Sequence, residues 1–258
     1  MAVEIPVVRL AQGVASEASD VVTEEVPLTV YLNREEVATL LCSPGHWEEL
    51  AVGFLASQGL LREPDELVRV EVEERRGLAW VESRVSRPLA QRGMFKRFLT
   101  SGCGSGIAYY AADDAAQLRP LAGERRVDAS AVLDLMHRFQ RLSESFRATG
   151  GVHSAALASA EEILVFREDI GRHNAVDKIS GHCLLTRLET GDKLLLTTGR
   201  LSSEIVTKAA RLGVPLLVSR AAATNLAVTY AATLGVTLIG FARGQRLTVY
   251  SHTARISM

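Results

Sequence analysis

The feature that most restricts the fold is a set of short, uninterrupted apolar runs in the second half of the chain, among them Leu194-Leu195-Leu196 and Pro215-Leu216-Leu217-Val218. A strand with one wet face alternates apolar and polar residues, so a run that is apolar at every position needs cover on both faces. Segments with helical start signals separate these runs: Ser202 to Leu212 and Thr224 to Leu234 are expected helices, and Val214 to Ser219, Val236 to Phe241 and Leu247 to Ser251 expected strands. Upstream, His153 to Ser159 and Ile163 to Phe166 read as a hairpin, Arg172 to Leu188 as a helix and Lys193 to Thr198 as a buried strand. Asp128 caps a helix expected to run through Phe146 and to end at Gly150-Gly151. Residues 128–258 therefore predict a three-layer α/β domain.

The first half has a different rhythm. Residues 1–20 lack sustained periodicity and read as an arm or an edge strand. Thr23 to Leu32 and Glu35 to Leu41 form a hairpin around Asn33-Arg34, Ser43-Pro44 starts a helix that Gly59 ends, and Leu67 to Glu73 and Leu78 to Val85 flank a turn at Arg75-Arg76-Gly77. The order ββαββ predicts a small, roll-like α+β domain, with residues 1–127 as one unit and its connector. Within that connector, Ser101-Gly102-Cys103-Gly104-Ser105-Gly106 is too rich in glycine to continue a helix or strand.

Composition sets the compartment and the class of ligand. The 258 residues are 47% hydrophobic and 23% charged, which excludes disorder and low complexity. There is no apolar run of spanning length, and Glu4 and Pro6 stand where a secretory signal would need a basic start and an apolar block; a cytoplasmic protein with no membrane association is expected. Three scattered cysteines suit a reducing compartment. The net charge of -1 hides an asymmetry: Ile205 to Met258 holds six basic residues and no acid, leaving 23 basic and 30 acidic residues elsewhere. A +6 segment beside a -7 remainder favours an anionic ligand at the C-terminal part.

In an open α/β sheet, ligands bind beyond the carboxyl ends of the strands. Three successive expected strand ends pair an arginine with small or hydroxylic residues: Thr198, Gly199 and Arg200; Ser219 and Arg220; and Phe241, Ala242, Arg243, Gly244, Gln245 and Arg246. Guanidinium forks match phosphate bidentately, and glycine lets backbone approach it closely. The competing account makes Ser203 and Thr224 simple helix caps and the arginines solvated. Glu168 to Lys178 packs six ionisable residues and a glycine into one strand-to-helix junction, within which Asp169 could cap the helix and His173 could hydrogen-bond or act as acid or base, with Arg172 in a supporting place and His153 nearby. Cys103, flanked by glycines and backbone N–H donors, suits a reactive thiol and suits an incidental turn residue equally, whereas Cys42 and Cys183 have the apolar neighbours of inert packing. Zinc is disfavoured, since His153-Ser154-Ala155 lacks the glutamate and no Cys-x-x-Cys occurs. Nucleic acid is disfavoured by 5% aromatic content and by basic residues that lie on expected buried elements.

Gly150 to Leu157, Glu168 to Lys178 with Gly181, Thr198-Gly199-Arg200 with Ser202, Glu204, Ile205, Val206 and Lys208, and Phe241 to Tyr250 together resemble the formate dehydrogenase accessory sulfurtransferases of the FdhD type. The resemblance implies a homodimeric sulfur carrier that takes persulfide sulfur from a cysteine desulfurase. It would pass that sulfur to the molybdenum or tungsten centre of a bis(molybdopterin guanine dinucleotide) cofactor needed by the formate dehydrogenase catalytic subunit. It implies the persulfide at Cys103, cofactor contacts at Phe241 to Arg246, guanine nucleotide as a mimic of the cofactor, and a second domain similar to cytidine deaminases without their zinc. The chain departs from the family at Gly106, where a second loop cysteine is often found. The alternatives are a cofactor-binding chaperone without covalent chemistry and, from the residues alone, a cysteine hydrolase with His153 or His173 as base.

Overall fold

The computed structural model describes residues 2–87, 96–99, 107–110, 118–123 and 126–258 and is mixed α/β. Its centre is a six-stranded sheet in the order β11-β10-β12-β13-β14-β15, built from β10 (His153–Ala158), β11 (Ile163–Asp169), β12 (Leu194–Thr197), β13 (Leu216–Ser219), β14 (Thr237–Arg243) and β15 (Arg246–Val249). The continuous apolar runs fill two cores at once, because successive side chains leave opposite faces. Leu195, Leu217 and Leu238 pack with α4 (Arg172–Thr186), α5 (Ser203–Arg211) and α6 (Asn225–Leu234). Leu194, Leu196, Leu216, Val218 and Ile239 pack on the other side with α2 (Ala129–Leu142).

The sequence reading carried one helix from Asp128 through Phe146; the structure divides it. Asp128 caps α2 as expected, but Ser143 leaves the helical region at ψ 94 and caps a separate α3 (Glu144–Thr149), accepting a bond from Phe146 N at 3.2 Å. The Ser143 hydroxyl also donates to the Glu168 carboxylate, so a tertiary contact fixes the break. Ser, unlike Ala or Leu, has a side chain that competes for helix backbone groups.

Residues 26–83 form a four-stranded sheet in the order β4-β3-β6-β5, from β3 (Val26–Leu32), β4 (Glu35–Cys42), β5 (Leu67–Glu73) and β6 (Leu78–Ser83). Asn33 and Arg34, at φ 49° and 71°, make the left-handed hairpin turn that joins β3 to β4. Helix α1 (Trp47–Ser57) covers the inner face, with Leu50, Phe54 and Leu55 against Leu28, Val30, Ala79 and Val81. It does not begin at Ser43-Pro44 as the sequence suggests but after His46, which holds a left-handed φ of 55°.

The two sheets are joined by an unusually close helix crossing. A Cβ at Gly53 of α1 would lie 1.8 Å from Asp177 O, and one at Gly181 of α4 would lie 1.8 Å from Glu49 O. The two backbones therefore touch where each helix has a glycine. Around the crossing, Arg167 forks onto Glu49 at 2.5 and 2.6 Å and His182 Nδ1 lies 2.9 Å from the same carboxylate.

The N-terminal residues are paired rather than loose. β1 (Ala2–Ala11) and β2 (Val14–Thr23) form an antiparallel ribbon in continuous register from Ala2↔Thr23 to Ala11↔Val14, turning at Gln12 and Gly13. Nearly every side chain in it is exposed, which is why no burial period marks it in the sequence. β7 (Lys96–Leu99) and β8 (Ile107–Tyr110) also pair antiparallel. Among the described residues no helix is long and apolar enough to cross a membrane.

Candidate functional site

Sheet topology gathers the expected site residues along one edge. β12, β13 and β14 run parallel, so Thr198 to Arg200, Ser219-Arg220 and Phe241 to Arg243 leave the sheet side by side. β10 is antiparallel to β12 and β11 to β10, which brings His153 at the start of β10 and Asp169 at the end of β11 to the same edge as register partners. Helix α4 begins there with Arg172 and His173. Arg200, Arg243 and Arg246 are exposed and Arg220 half-buried, while β14 turns back through exposed Gly244 and Gln245, the glycine at φ 59°.

Each strand end is shaped by specific bonds. Thr198 Oγ1 accepts Ser154 N at 3.0 Å and lies 3.2 Å from His153 Nδ1. Gly199 is needed because a Cβ there would come within 2.9 Å of the Arg172 stem. The buried Ser219 hydroxyl donates to Gly199 O at 2.6 Å and accepts Ala221 N at 3.0 Å, so it ties two loops together instead of facing a ligand. Phe241 takes a positive φ of 51° with its N–H donating to Ala221 O at 3.0 Å, and the Arg243 guanidinium lies 5.7 Å from the centre of its ring. Ala242, fully buried in the α2-side core, anchors this segment from below.

Behind the edge lie two buried charge networks. Asp169 does not cap α4; it is wholly buried, 2.8 Å from Lys178 Nζ, and accepts Gly171 N, Asn174 Nδ2 and Ser43 N at 2.9, 2.9 and 3.1 Å. Lys178 also donates to Glu168 O at 3.1 Å. With every charge bonded, this network clamps the β4–α1 connection onto the start of α4, and it is structural. The second network runs between α4 and α5. His173 Nε2 is 2.9 Å from Glu204 Oε2, and Asp177, bonded by the Ser57 hydroxyl, takes Lys208 Nζ at 2.6 Å on both oxygens.

The titration directions follow from these surroundings. Burial, reinforced by Arg172 and by His173, depresses the His153 pKa. Burial also depresses that of His173, with Lys208 adding to it and Glu204 opposing. Burial alone would raise Glu204, but His173, Lys208 and Arg172 together hold it below its ordinary value. With their pKa values depressed, His173 beside the Glu204 carboxylate and His153 beside the Thr198 hydroxyl can donate or accept a proton but do not offer a fixed positive charge.

Cys103, with Gly106, lies in the interval between β7 and β8, outside the described residues. Both described thiols are unreactive: burial pushes Cys42 and Cys183 up to about 12. The chain leaves for Cys103 through Arg87, which is fixed by a bidentate pair to Glu66 at 2.6 and 2.8 Å and by Leu60 O at 3.0 Å. It returns through Leu118 and Arg119, which with Arg62, Cys183, Lys208 and Arg211 line a cavity of about 600 Å³ at the C-terminal ends of α1, α4 and α5. The roots of the thiol segment thus lie at the opposite end of α4 from the arginine edge. The ionisable run from Glu168 to Lys178 is visible in the sequence, but its pairings are not, since Ser43, Ser57, Glu204 and Lys208 are distant partners. Among the described residues no three His, Cys, Asp or Glu side chains are placed to hold a metal ion.

Comparison with known proteins adds kinship to this geometry. A model of the FdhD/NarQ family matches residues 23–257. The chain is 42% identical over 248 residues to the sulfur carrier protein FdhD of Bacillus subtilis (strain 168), covering 96% of this chain and 95% of that protein. It is 41% identical to the protein of the same name from Geobacillus kaustophilus (strain HTA426), covering 97% and 95%. A crystal structure assigned to a formate dehydrogenase accessory protein from Desulfotalea psychrophila superposes with a TM-score of 0.84 at 26% identity over 99% of both chains.

Proposed function

Since the chain belongs to the FdhD/NarQ family, we propose that it is a sulfur carrier serving formate dehydrogenase, with Cys103 as the carrying thiol and the sheet edge from Thr198 to Arg246 as the cofactor cradle. The observation that carries the reading is the convergence of Arg200, Arg220, Arg243 and Arg246 on one edge whose neighbouring helices α5 and α6 start there. Four guanidinium groups and two helix N-termini suit a ligand with several phosphates, such as a bis(molybdopterin guanine dinucleotide) cofactor. In this reading the unit over 128–258 holds the cofactor, as in a cytidine-deaminase-like fold that has lost its zinc, and the unit over 1–127 carries the thiol.

Loading Cys103 needs no oxidant. Its thiolate attacks the outer sulfur of a persulfide on a cysteine desulfurase; the new S–S bond forms as the old one breaks, and the donor leaves as a thiolate. Cys103 is sixteen residues beyond Arg87 and fifteen before Leu118. A tether of that length reaches at most about 50 Å, more than twice the ~22 Å length of a fifteen-residue helix such as α4. Chain length therefore permits the thiol to meet the arginine edge, where the cofactor would be held as the substrate. His153 and His173, kept neutral, are placed to manage protons at that edge.

The test is mass spectrometry after incubation with a desulfurase and cysteine. A one-sulfur adduct, removed by reductant and absent from Cys103→Ala, is expected, together with loss of client activation in that variant. Full activation by Cys103→Ala would leave the cofactor chaperone as the reading.

A further inference from the structure

An antiparallel sheet with one wet face carries polar residues there, so large rings at the centre of that face stand out. The inner face of the β4-β3-β6-β5 sheet, through Leu28, Val30, Ala79 and Val81, lies under α1. On the outer face the strand registers set one row across all four strands: Tyr31 pairs with Glu36 on β4 and with Trp80 on β6, and Trp80 pairs with Glu71 on β5. The two rings stack with centroids 4.1 Å apart and planes at 18°, and Trp80 is 36% exposed. The Tyr31 hydroxyl donates to Glu36 Oε2 at 3.4 Å, and Glu71 pairs with Arg69. An aromatic platform thus has a carboxylate at either end, the two about 14 Å apart across three strand spacings. The rows on either side add Glu73, opposite Leu78, and Glu82, opposite Arg69.

We propose that this outer face is the docking surface for the protein that donates sulfur, and that it reads a guanidinium or ammonium group on that partner; the choice of partner rests on the carrier reading of Cys103. Charge selects the occupant. The faces of Tyr and Trp rings attract cations, and here each end of the platform adds a carboxylate. Residues 24–83 hold thirteen Asp and Glu against five Arg and no Lys, a field that repels nucleic acid and anionic membranes and complements a basic protein surface. Trp and Tyr are also the side chains that most often dominate binding at protein interfaces. Position selects the donor. β6 ends at Ser83, opposite Leu67 of β5, and four residues later Arg87 fixes the root of the Cys103 segment on Glu66 and Leu60 O. A protein on the Tyr31–Trp80 row therefore sits beside the root of the thiol segment, whereas the arginine edge lies at the far end of α4. If the stacked pair served only to steady the sheet, as cross-strand pairs do, its substitution would change stability and leave binding alone.

Calorimetric titration of the full chain with a cysteine desulfurase, and mass spectrometry of sulfur loading on Cys103, test it. Glu36→Lys/Glu71→Lys is expected to weaken the desulfurase Kd about 10- to 100-fold and to raise the desulfurase concentration for half-maximal loading by the same factor, at an unchanged maximal rate. Trp80→Ala should act in the same direction, and Trp80→Phe, which keeps a ring, should retain most of the affinity. Loading from glutathione persulfide, which needs no docked protein, should be equal in wild type and every variant, as should the mass in sedimentation. A wild type that binds no desulfurase, a charge-reversed variant that binds and loads like wild type, or a variant of altered mass, which would make the face a contact between copies, overturns the proposal. Failure of Cys103 to load even from glutathione persulfide, with desulfurase binding still sensitive to the charge reversal, would instead remove the carrier reading and support the docking face.

Discussion

Replacing Gly181 with alanine sets two opposed effects against each other. In a helix interior alanine is favoured over glycine by up to about 1 kcal/mol, so on propensity alone the variant gains stability. The crossing opposes this. The new Cβ would sit 1.8 Å from Glu49 O and 2.6 Å from Glu49 C, both backbone atoms. Reaching ordinary contact at about 3.4 Å requires the helices to part by about 1.5 Å, and no side-chain rotation can supply that movement. The separation loosens the packing of α1 on α4 and lengthens the Arg167–Glu49 contacts of 2.5 and 2.6 Å. Overpacking of this kind costs about 1 to 3 kcal/mol, and backbone-on-backbone contact belongs at the upper end. After subtracting the propensity gain, Gly181→Ala should lose about 2 kcal/mol, or roughly 4 to 8 °C in Tm for a chain of this size. The assay is urea unfolding followed by circular dichroism, with Gly191→Ala as control, since a Cβ there meets nothing within 4 Å. A Gly181→Ala midpoint equal to or above that of Gly191→Ala would refute the crossing argument.

Two further outcomes follow from the edge residues. In a titration with guanosine diphosphate, Arg243→Ala should weaken binding roughly 10- to 100-fold, the worth of one charge-assisted bond to phosphate; an unchanged Kd would move the nucleotide off the β14 turn. Stability should fall between pH 7.5 and 5.5. The folded pKa of His173 lies below its unfolded value of 6.5, so on acidification the unfolded chain binds a proton that the folded chain does not, and unfolding gains. His153, also depressed, contributes in the same direction, so His173→Gln should lessen that pH dependence without abolishing it, and a slope as steep as wild type in the variant would remove His173 as a source.

The sequence made legible what repeats locally. Apolar runs marked β12 and β13, and the covering layers followed from needing two dry faces; the arginine, glycine and hydroxyl pattern marked the edge because strand ends in a parallel sheet must be neighbours. What it hid depends on distant partners. Ser143 breaks a helix because Glu168 is there to meet it, and Ser43 serves Asp169 instead of starting α1. The Gly53–Gly181 crossing left only a faint trace, a glycine kept inside each of two helical patterns where alanine would serve better. His173 and Glu204 were each visible, but their meeting was not, since it needs α4 and α5 to be packed first.

The welded helix pair has a mechanical meaning. Units that share only a wet, shallow contact swing as hinged bodies, whereas these share touching backbones and a core to which Leu184 and Leu185 of α4 contribute. The exit point at Arg87 and the arginine edge consequently ride on one stiff chassis at a fixed separation.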